Sequence, residues 1–381
     1  MDELDLRTVV RPPIGLSDSP VAYANEAGFG SSVVSLASLV AGLFSLLLSL
    51  SATAAPQISP LFASQDTLAI ELEGPFSRVN SERDKSKRYD GFVWVEDSLG
   101  GRIKIAANFE VRGNWRLKKE SCRYSQLWVD LKKDQVSGTV FEGQNRLKLV
   151  AQCSKQRSYS QFLLKEKLAY DLYSHFTDYH FKTRLLNVTY TDSEKEGTSY
   201  SYLGFFIEHP NRLAARVEMR EVVENTVDIT QLDSLQANRL ALFMYLIGNT
   251  DYSVIQGPVN EACCHNAELL VNQAGNMIPF PFDFDNSGFV DASYAAGPSP
   301  NVGLRSTKQR LFRGHCAHLD TLDEAIAGAL STKLAVLDAI NQAEGLSSSS
   351  KRASTKFVDD YYEILASPDA IQTQLVEQCR L

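Results

Sequence analysis

The sequence has no block of basic residues, and this absence argues against a nucleic-acid partner. Of its 381 residues, 46 are Asp or Glu and 38 are Lys or Arg, which gives a formal net charge of -8. A protein that binds nucleic acid is expected to carry a basic patch or stripe. No internal repeat is visible. The remaining composition, 44% hydrophobic and 22% charged, is that of a globular protein with one large domain or two lobes.

Charge is missing altogether from residues 31–57, "SSVVSLASLVAGLFSLLLSLSATAAPQ". This run has an apolar core followed by an A-x-A site, Ala52-Thr53-Ala54, as in a signal peptide. The segment before it is long and more acidic than basic, which a signal peptide is not. The run is also long enough to span a bilayer. We therefore predict that residues 1–55 form a signal peptide or an N-terminal membrane anchor, with a buried soluble helix as a third alternative.

The prediction for location follows from that segment. The protein is expected to be exported to the periplasm, the cell envelope or the medium, and a single-pass membrane-anchored form is the alternative. Contact with a membrane is expected only through the N-terminal apolar segment. No feature of the sequence predicts an oligomeric state.

Structural zinc sites usually show C-x₂₋₄-C spacing, which this sequence lacks. An even number of cysteines in an exported chain favours disulfides instead. We predict that Cys122 pairs with Cys153, and that Cys316 pairs with one of the adjacent Cys263 and Cys264. A zinc site built from "CCH" and "HCAH" is the alternative. The six cysteines are Cys122, Cys153, Cys263, Cys264, Cys316 and Cys379.

The hydrophobic pattern changes period along the chain. Alternating segments in the first half predict strands, and one segment with helical spacing, "SQFLLKEKLAYDLYSHF", interrupts them. From about residue 228 the pattern is mostly helical, beginning with "ITQLDSLQANRLALFMYLIGN". We therefore predict an α+β protein with two lobes: a strand-rich N-lobe with one helix at 56–208 and a helix-rich C-lobe with catalytic-type loops at 209–381. A cleft between two such lobes is a common ligand site.

The most unusual stretch is "IPFPFDFDNSGFV", in which Asp283 and Asp285 lie two residues apart in an apolar run. Along a strand, this spacing would point both carboxylates to one side, where they repel each other. A turn with acceptors for its own backbone amides is one interpretation. A metal site is the other, because a cation would offset the repulsion. Asp285 is the preferred ligand, since "NSG" follows it, and Asp283 would support it.

Other polar residues occur in an order that protein kinases also show. Asp251 lies in a loop after the long helix, Asn266 precedes a strand, and the D-x-D pair follows on the next strand. In kinases, an Asp in such a loop orients the acceptor hydroxyl, and an Asn and a later Asp bind Mg²⁺. Lys148, in the middle of a strand, and Glu166, on the next helix, resemble the kinase ion pair that holds the nucleotide phosphates.

The blocks "VRGNWR", "LLKEKLAYDLY", "YLGFFIEHP", "IGNTDYS", "HNAELL" and "IPFPFDFDNSG" together resemble the CotH family of spore-coat-type, atypical kinase-fold proteins. The resemblance covers roughly residues 109–288. It implies a kinase-like fold and ATP-dependent phosphorylation of protein, with Mg²⁺ or Mn²⁺ as cofactor. In this interpretation Asp251, Lys148 and Glu166 are catalytic. Lys148 and Glu208, the latter at the end of the strand that leads into the hinge, bind the nucleotide. The metal ligands are Asp285, Asp283 and Asn266.

The chain departs from kinases in several blocks. It has Asn249-Thr250-Asp251 where kinases have H-R-D, it lacks a G-x-G-x-x-G loop, and "DFDNSG" stands in place of D-F-G. These departures favour the alternative of a non-catalytic envelope module that binds a nucleotide, a metal or a partner. A third class is an unrelated structural or adhesive envelope protein held together by disulfides.

Each candidate residue also has a structural alternative. Lys148 could extend to the surface, Glu166 could be a solvated helix residue, and Asp251 could cap a helix or turn. His265 is expected to be a hydrogen-bonded histidine rather than a ligand. Arg112 and Arg116 are expected on the surface, although arginine also fits phosphate well.

Overall fold

The structure is a computed structural model that describes residues 58–97, 99–300 and 302–381. The predicted signal peptide or anchor therefore lies outside the described residues. Within the described ranges, no helix combines the length and the apolar character that crossing a membrane requires.

The first half of the described chain is a closed barrel of seven strands. They are β1 (Leu68–Gly74), β2 (Arg88–Glu96), β3 (Arg102–Arg112), β4 (Gln126–Leu131), β5 (Arg146–Ala151), β6 (Thr183–Asp192) and β7 (Ser199–Ile207). Their order around the barrel is β1-β2-β3-β4-β5-β7-β6. Antiparallel pairs join all neighbours except β1 and β6, which pair in parallel from Leu68 with Leu186 to Gly74 with Asp192 and so close the barrel.

Alternation of apolar and polar residues along these strands fills the barrel interior. In β3, for example, Ile105, Ala107 and Phe109 are buried while their neighbours are more exposed. The same core includes Val129, Leu147 and further apolar side chains from the other strands. Period-2 alternation places one set of side chains on the inner face of a sheet, which is what a barrel requires.

Helices and a small sheet make up the rest. The helices are α1 (Pro60–Ala63), α2 (Phe76–Glu82), α3 (Arg157–Tyr173), α4 (Pro210–Arg216), α5 (Ser234–Ile247), α6 (Leu322–Ser331), α7 (Lys333–Gln342), α8 (Ser348–Leu365) and α9 (Pro368–Ile371). The strands β8 (Arg220–Val222), β9 (Ala267–Val271) and β10 (Met277–Pro281) form a three-stranded antiparallel sheet in the order β10-β9-β8. A second core surrounds α3 and α5, whose inner faces are apolar.

The closed barrel overturns the predicted two-lobed kinase-like fold. The sequence correctly predicted the individual barrel strands, the helix α3 that interrupts them along the chain, and the long helix α5. It did not predict that β6 returns to β1, because alternation shows which face of a strand is buried and not which strand it pairs with. A strand-rich half can be an open sheet or a closed barrel with the same pattern, and here it is closed.

Disulfides hold the described chain at three places. Cys122 pairs with Cys153, which confirms that prediction. The other prediction was wrong, because Cys316 pairs with Cys379 near the C-terminus, and the adjacent Cys263 and Cys264 are bonded to each other. Every cysteine of the described chain is therefore oxidised, which leaves no thiolate for the zinc alternative. Three disulfides indicate an oxidising, exported environment.

Candidate functional site

Asp251 is positioned by the end of α5. Gly248 ends the helix in a left-handed conformation with φ of 64°, which favours glycine because it has no Cβ. Its backbone N–H donates to the carbonyl of Tyr245, 3.2 Å away. The side-chain oxygen of Asn249, the next residue, accepts a hydrogen bond from the Asp251 backbone N–H at 2.8 Å. The sequence GNTD therefore ends the helix and fixes the backbone of the aspartate that follows.

The Asp251 carboxylate is held by three side chains. Its Oδ1 lies 2.8 Å from His265 Nε2, and its Oδ2 accepts from the side-chain amides of Asn266 and Asn286, each at 3.3 Å. Asn266 also donates to the Asp251 backbone carbonyl at 2.7 Å. The hydrogen bond to Asp251 raises the pKa of His265. Asp251 still keeps 30% of its side chain exposed, so it is oriented and also accessible.

Asn266 was predicted to bind a metal, and the structure uses its amide nitrogen to hold Asp251. Asn266 has a φ of 48°, and Asp283 has a φ of 63°. Left-handed conformations are uncommon outside glycine and cluster at functional sites. The two residues are linked through the backbone, because the Phe282 N–H donates to the Asn266 carbonyl at 3.0 Å. Both candidate ligands therefore lie at one constrained end of this strand pair, Asn266 just before β9 and Asp283 just after β10.

A cluster of three carboxylates surrounds Arg116: Glu166 and Asp285 are buried, and Asp283 keeps about a third of its side chain exposed. The guanidinium group donates to Glu166 at 3.1 and 3.3 Å and to Asp283 Oδ1 at 2.7 Å. Its Nε forms an ion pair with Asp285 Oδ2 at 3.1 Å. One oxygen from each acid lies within 4.8 Å of the others. Arg116 is only 6% exposed, so the expectation that it lies on the surface was wrong. Its planar fork presents five N–H donors in a fixed geometry, which suits contact with several carboxylates better than the three donors of a lysine do.

Glu166 pairs with Arg116 rather than with Lys148. The sequence could place Glu166 on the helix after the lysine strand, but it could not show that Arg116 reaches the same helix face from the loop after β3. Glu166 is fully buried, so the alternative of a solvated helix residue is also wrong. Burial raises the pKa of Glu166, and Arg116 opposes that shift.

The two aspartates of the D-x-D pair have opposite pKa shifts. Burial raises the pKa of Asp285 to about 8, and the attraction of Arg116 only partly offsets this, while Asp283 and Glu166 add repulsion. Burial also acts on Asp283, but Arg116 and Lys148 outweigh it and lower the pKa of that carboxyl. The Asp283 backbone N–H donates to the Tyr170 hydroxyl at 2.9 Å, which fixes the turn between the two acids.

Lys148 lies on β5, opposite Trp128 on β4 and Ile207 on β7. Its Nζ lies 4.1 Å from the centroid of the Phe282 ring. In the part of the chain that the structure describes, no hydrogen bond or ion pair holds that nitrogen. Burial lowers the pKa of Lys148 to about 8, and Arg112 lowers it further, while Asp283 and Glu268 act in the opposite direction. Lys148 is therefore a half-buried cation without a direct partner.

Arg112 and Glu208 have structural partners at the same cleft. Arg112, 8% exposed, donates from its Nη2 to the Leu149 carbonyl at 3.1 Å, so its expected surface position was wrong. Burial lowers the pKa of Arg112 to about 10. Glu208 accepts from Arg216 at 3.0 Å and from the Lys182 backbone N–H at 3.1 Å. The carboxylate that was predicted to bind the nucleotide is thus already paired.

A cleft of about 680 Å³ brings most of the predicted residues together. Its lining includes Lys148, Glu208, Asp251, Asn266 and Asp283. A small pocket of about 70 Å³ shares Arg112, Asp251 and Asp283 with it and adds Arg116, Asp285 and Asn286. Of the predicted site residues, Glu166 lies beneath both, where it contacts Arg116.

The donor set at the small pocket fits a hard divalent cation. Mg²⁺ and Mn²⁺ prefer carboxylate and carbonyl oxygens. Asp283 and Asp285 each contact Arg116 through one carboxylate oxygen, Oδ1 and Oδ2 respectively, and both line the pocket beside Asp251. Arg116 already neutralises part of the negative charge of these acids, so a bound cation would gain less electrostatic attraction than it would without the arginine.

Neither Glu268 nor Asn286 was predicted as a site residue from the sequence. Glu268 lies on β9 between Ala267 and Leu269, both of which are buried, so alternation turns it towards the cleft. A charged residue between apolar neighbours on a short strand was the signal available. Asn286 was read only as part of a turn after Asp285, yet its amide bonds both Asp251 and the Gly297 carbonyl.

Comparison of the chain with models of known protein families found no match, and neither did comparison with curated proteins. The resemblance to the CotH family stays a prediction from the sequence blocks.

Proposed function

We propose that this protein is an exported phosphotransferase that uses ATP and Mg²⁺ or Mn²⁺ to phosphorylate hydroxyl groups of a protein substrate. The observation that carries the proposal is the meeting of Lys148, Asp251 and Asp283 on one cleft, with Asp285 in the adjoining pocket. The proposal does not depend on a kinase-like fold. The same residue types could serve the same chemistry on a barrel frame, since function depends on the site rather than on the fold.

The role of Asp251 follows from its contacts. An acceptor hydroxyl in the cleft would donate its hydrogen bond to the exposed part of the Asp251 carboxylate, which His265 and Asn266 hold in place. The hydroxyl oxygen would attack the γ-phosphorus, the bond to the leaving ADP oxygen would break, and the hydroxyl proton would pass to Asp251. A base within hydrogen-bond reach that is held by neighbours is what such a step requires.

Binding of the polyphosphate would fall to the cations of the cleft. Lys148 offers an ammonium group without a direct partner, and Arg112 lies on the same wall. Asp283 and Asp285 would hold the divalent cation, which supplies charge neutralisation at the phosphates. Arg116 would keep those two acids in position through the contacts already described.

Purified protein incubated with labelled ATP and Mg²⁺ or Mn²⁺ tests the proposal. We expect transfer of label to the protein itself or to an added acceptor protein. Asp251→Asn should bind ATP as the parent does and lose transfer by at least about 100-fold, the lower end of the range for a single acid–base group. Asp285→Asn should lose metal-dependent binding. Absence of nucleotide binding in the parent protein would overturn the proposal.

A second candidate function is a binding module without catalysis. The observation in its favour is Arg116, which already neutralises much of the carboxylate cluster in place of a metal. In that case ATP would bind by calorimetry without a requirement for the divalent cation, and no label would be transferred. The same set of measurements therefore separates the two functions.

A further inference from the structure

The cleft contains a second polar side chain that lacks a partner. Oε2 of Glu268 is buried and has no hydrogen-bond partner among the described residues. A buried acceptor left without a donor costs free energy, so each one needs an explanation, and a donor on a bound group is one that an open cleft allows. Glu268 lines the same cleft as Lys148, which also lacks a direct partner. An unpaired acid and an unpaired ammonium therefore face one cavity.

The charges around Glu268 limit which ligand group could donate a hydrogen bond to its Oε2. Lys148 attracts its carboxylate across the cleft, and Glu221 on β8 repels it. The other charged groups on the lining are Lys85, Glu110, Arg112, Arg146, Glu208, Asp251, Glu261 and Asp283, with His209 and His265. Two acids that repel each other disfavour a phosphate at this end. A neutral group with an N–H or O–H donor fits it.

Apolar side chains complete this part of the wall. Phe181, Ile207 and Phe282 line the cleft with Lys148 and Glu268. Small-molecule sites combine apolar walls with a few polar groups that fix orientation. A ligand that bears an anionic group at one end and a flat or apolar body with a donor at the other matches this distribution of charges. A nucleoside triphosphate has both parts.

We propose that Glu268 is a specificity-determining residue that accepts a hydrogen bond from the nucleoside part of the nucleotide, while Lys148 binds its phosphates. This inference rests on the proposed function, because it assigns the two ends of the ligand of that same site. The shared chemistry is an N–H or O–H donor, which could come from the exocyclic amine of the base or from a ribose hydroxyl.

The test compares ATP with tripolyphosphate, which has the phosphates without the nucleoside. Calorimetry at pH 8 with Mg²⁺ would measure both affinities for the parent protein, for Glu268→Met and for the control Glu261→Gln, which removes an exposed carboxylate from the same cleft. We expect Glu268→Met to bind ATP about 10- to 100-fold more weakly, as for loss of a hydrogen bond to a charged group. Tripolyphosphate should bind equally well or a few-fold more tightly, because a carboxylate near Lys148 has been removed.

The two sources of the donor are separated by analogues of ATP. Inosine triphosphate lacks the exocyclic amine, and 2′-deoxy and 3′-deoxy ATP each lack one hydroxyl. The analogue without the relevant donor should bind the parent as weakly as ATP binds Glu268→Met, and the substitution should then have no further effect. Should Glu268→Met fail to fold, Glu268→Gln keeps the volume and should weaken ATP by about 3- to 10-fold, since a neutral acceptor is weaker.

Four outcomes would overturn the inference. Equal losses for ATP and tripolyphosphate in Glu268→Met would show that Glu268 only supports Lys148. An unchanged ATP affinity would show that it contacts no part of the nucleotide, although the proposed function would stand. A parent protein that binds tripolyphosphate and ATP equally well would show that the nucleoside is not recognised. If the parent binds neither, the proposed function itself falls and the inference falls with it.

Discussion

Two groups of charged residues contact the same cleft, and they differ in how well their charges are paired. Around Arg116, one cation touches Glu166, Asp283 and Asp285 within 3.3 Å. Across the cleft, Lys148 and Glu268 have opposite charges and no direct contact with each other. Both groups are taken largely out of water, where an unpaired charge is costly. The paired group therefore acts as part of the framework, and the unpaired group is the part of the site that a ligand completes.

Substitutions in the two groups should also differ in how much they reduce the stability of the fold. Removing one member of a buried, paired group leaves uncompensated charges behind, which is more damaging than the pair itself is stabilising. Removing a charge that has no direct partner leaves little behind. Stability measurements should therefore separate the two groups even if no ligand is known, and the expected effects range from several kcal/mol to nearly zero.

The largest effect is expected for Arg116→Met. This change leaves Glu166, Asp283 and Asp285 close together without their shared cation. We expect the free energy of unfolding to fall by about 3–5 kcal/mol, as for the loss of one partner of a buried ion pair. Arg116→Lys should recover only part of this loss, because an ammonium group has three donors at one nitrogen and lacks the planar fork that spreads over the three acids. Urea denaturation at pH 7 measures both values.

A matched control is Arg78→Met, which removes an arginine from a pair with Glu194 in which both side chains are about half exposed. Its effect should stay within about 0.5 kcal/mol, since exposed ion pairs contribute little. If Arg116→Met cost no more than Arg78→Met, the Arg116 cluster would not be part of the framework.

Two histidines should make the stability of the fold depend on pH, with effects smaller than that of Arg116→Met. His315 is 8% exposed, its Nε2 has no partner among the described residues, and burial together with Arg380 lowers its pKa to about 4. The unfolded chain then binds a proton more readily than the folded one. Stability from this group is present above about pH 6.5 and is lost as the pH falls towards 4.

His265 has the opposite sign because Asp251 raises its pKa. Its contribution is complete below about pH 6.5 and is lost as the pH rises through the folded pKa. Because the pKa of His315 is lowered in the folded chain, His315→Gln should reduce the loss of stability between pH 7 and pH 4 by about 1–2 kcal/mol. His265→Gln should cost more at pH 5.5 than at pH 8, by less than about 1 kcal/mol because its ring is 37% exposed. Denaturation curves at these pH values measure both effects. If the two variants changed stability with pH in the same direction, the opposite pKa shifts assigned to His315 and His265 would be wrong.

What the sequence could predict was local. Period-2 alternation predicted the barrel strands, and helical spacing predicted α3 and α5, because each signal is contained in a dozen neighbouring residues. Closure between β1 and β6 depends on pairing across more than a hundred residues, and no local pattern encodes it. The pairing of Cys316 with Cys379, 63 residues apart, was missed for the same reason.

The candidate site shows the same division. The sequence placed Lys148, Asp251 and Asp283 as site residues from their order and neighbours, and the structure brings them to one cleft. The sequence could not show which charged side chains pair with each other, because that depends on which loop contacts which helix in the fold. Arg116 took the place expected for Lys148 beside Glu166, since a guanidinium group can contact several carboxylates and an ammonium group cannot do so as well.

The smallest effect on stability is expected for Lys148→Met, at the unpaired side of the comparison. The substitution removes the contact of Nζ with the Phe282 ring and the attraction to Glu268 and Asp283. It also removes the cost of holding an ammonium group away from water, which the lowered pKa of about 8 reflects. Methionine fills a similar volume, so little packing is lost.

Because these terms oppose each other, we expect the free energy of unfolding to change by less than about 1 kcal/mol, well below the effect of losing a paired buried charge. Affinity for ATP and for tripolyphosphate should nevertheless fall together by about 10-fold or more, since the same ammonium group would bind the phosphates. A loss of stability comparable to that of Arg116→Met would show that Lys148 is a framework residue and that the contrast between the two sides of the cleft does not hold.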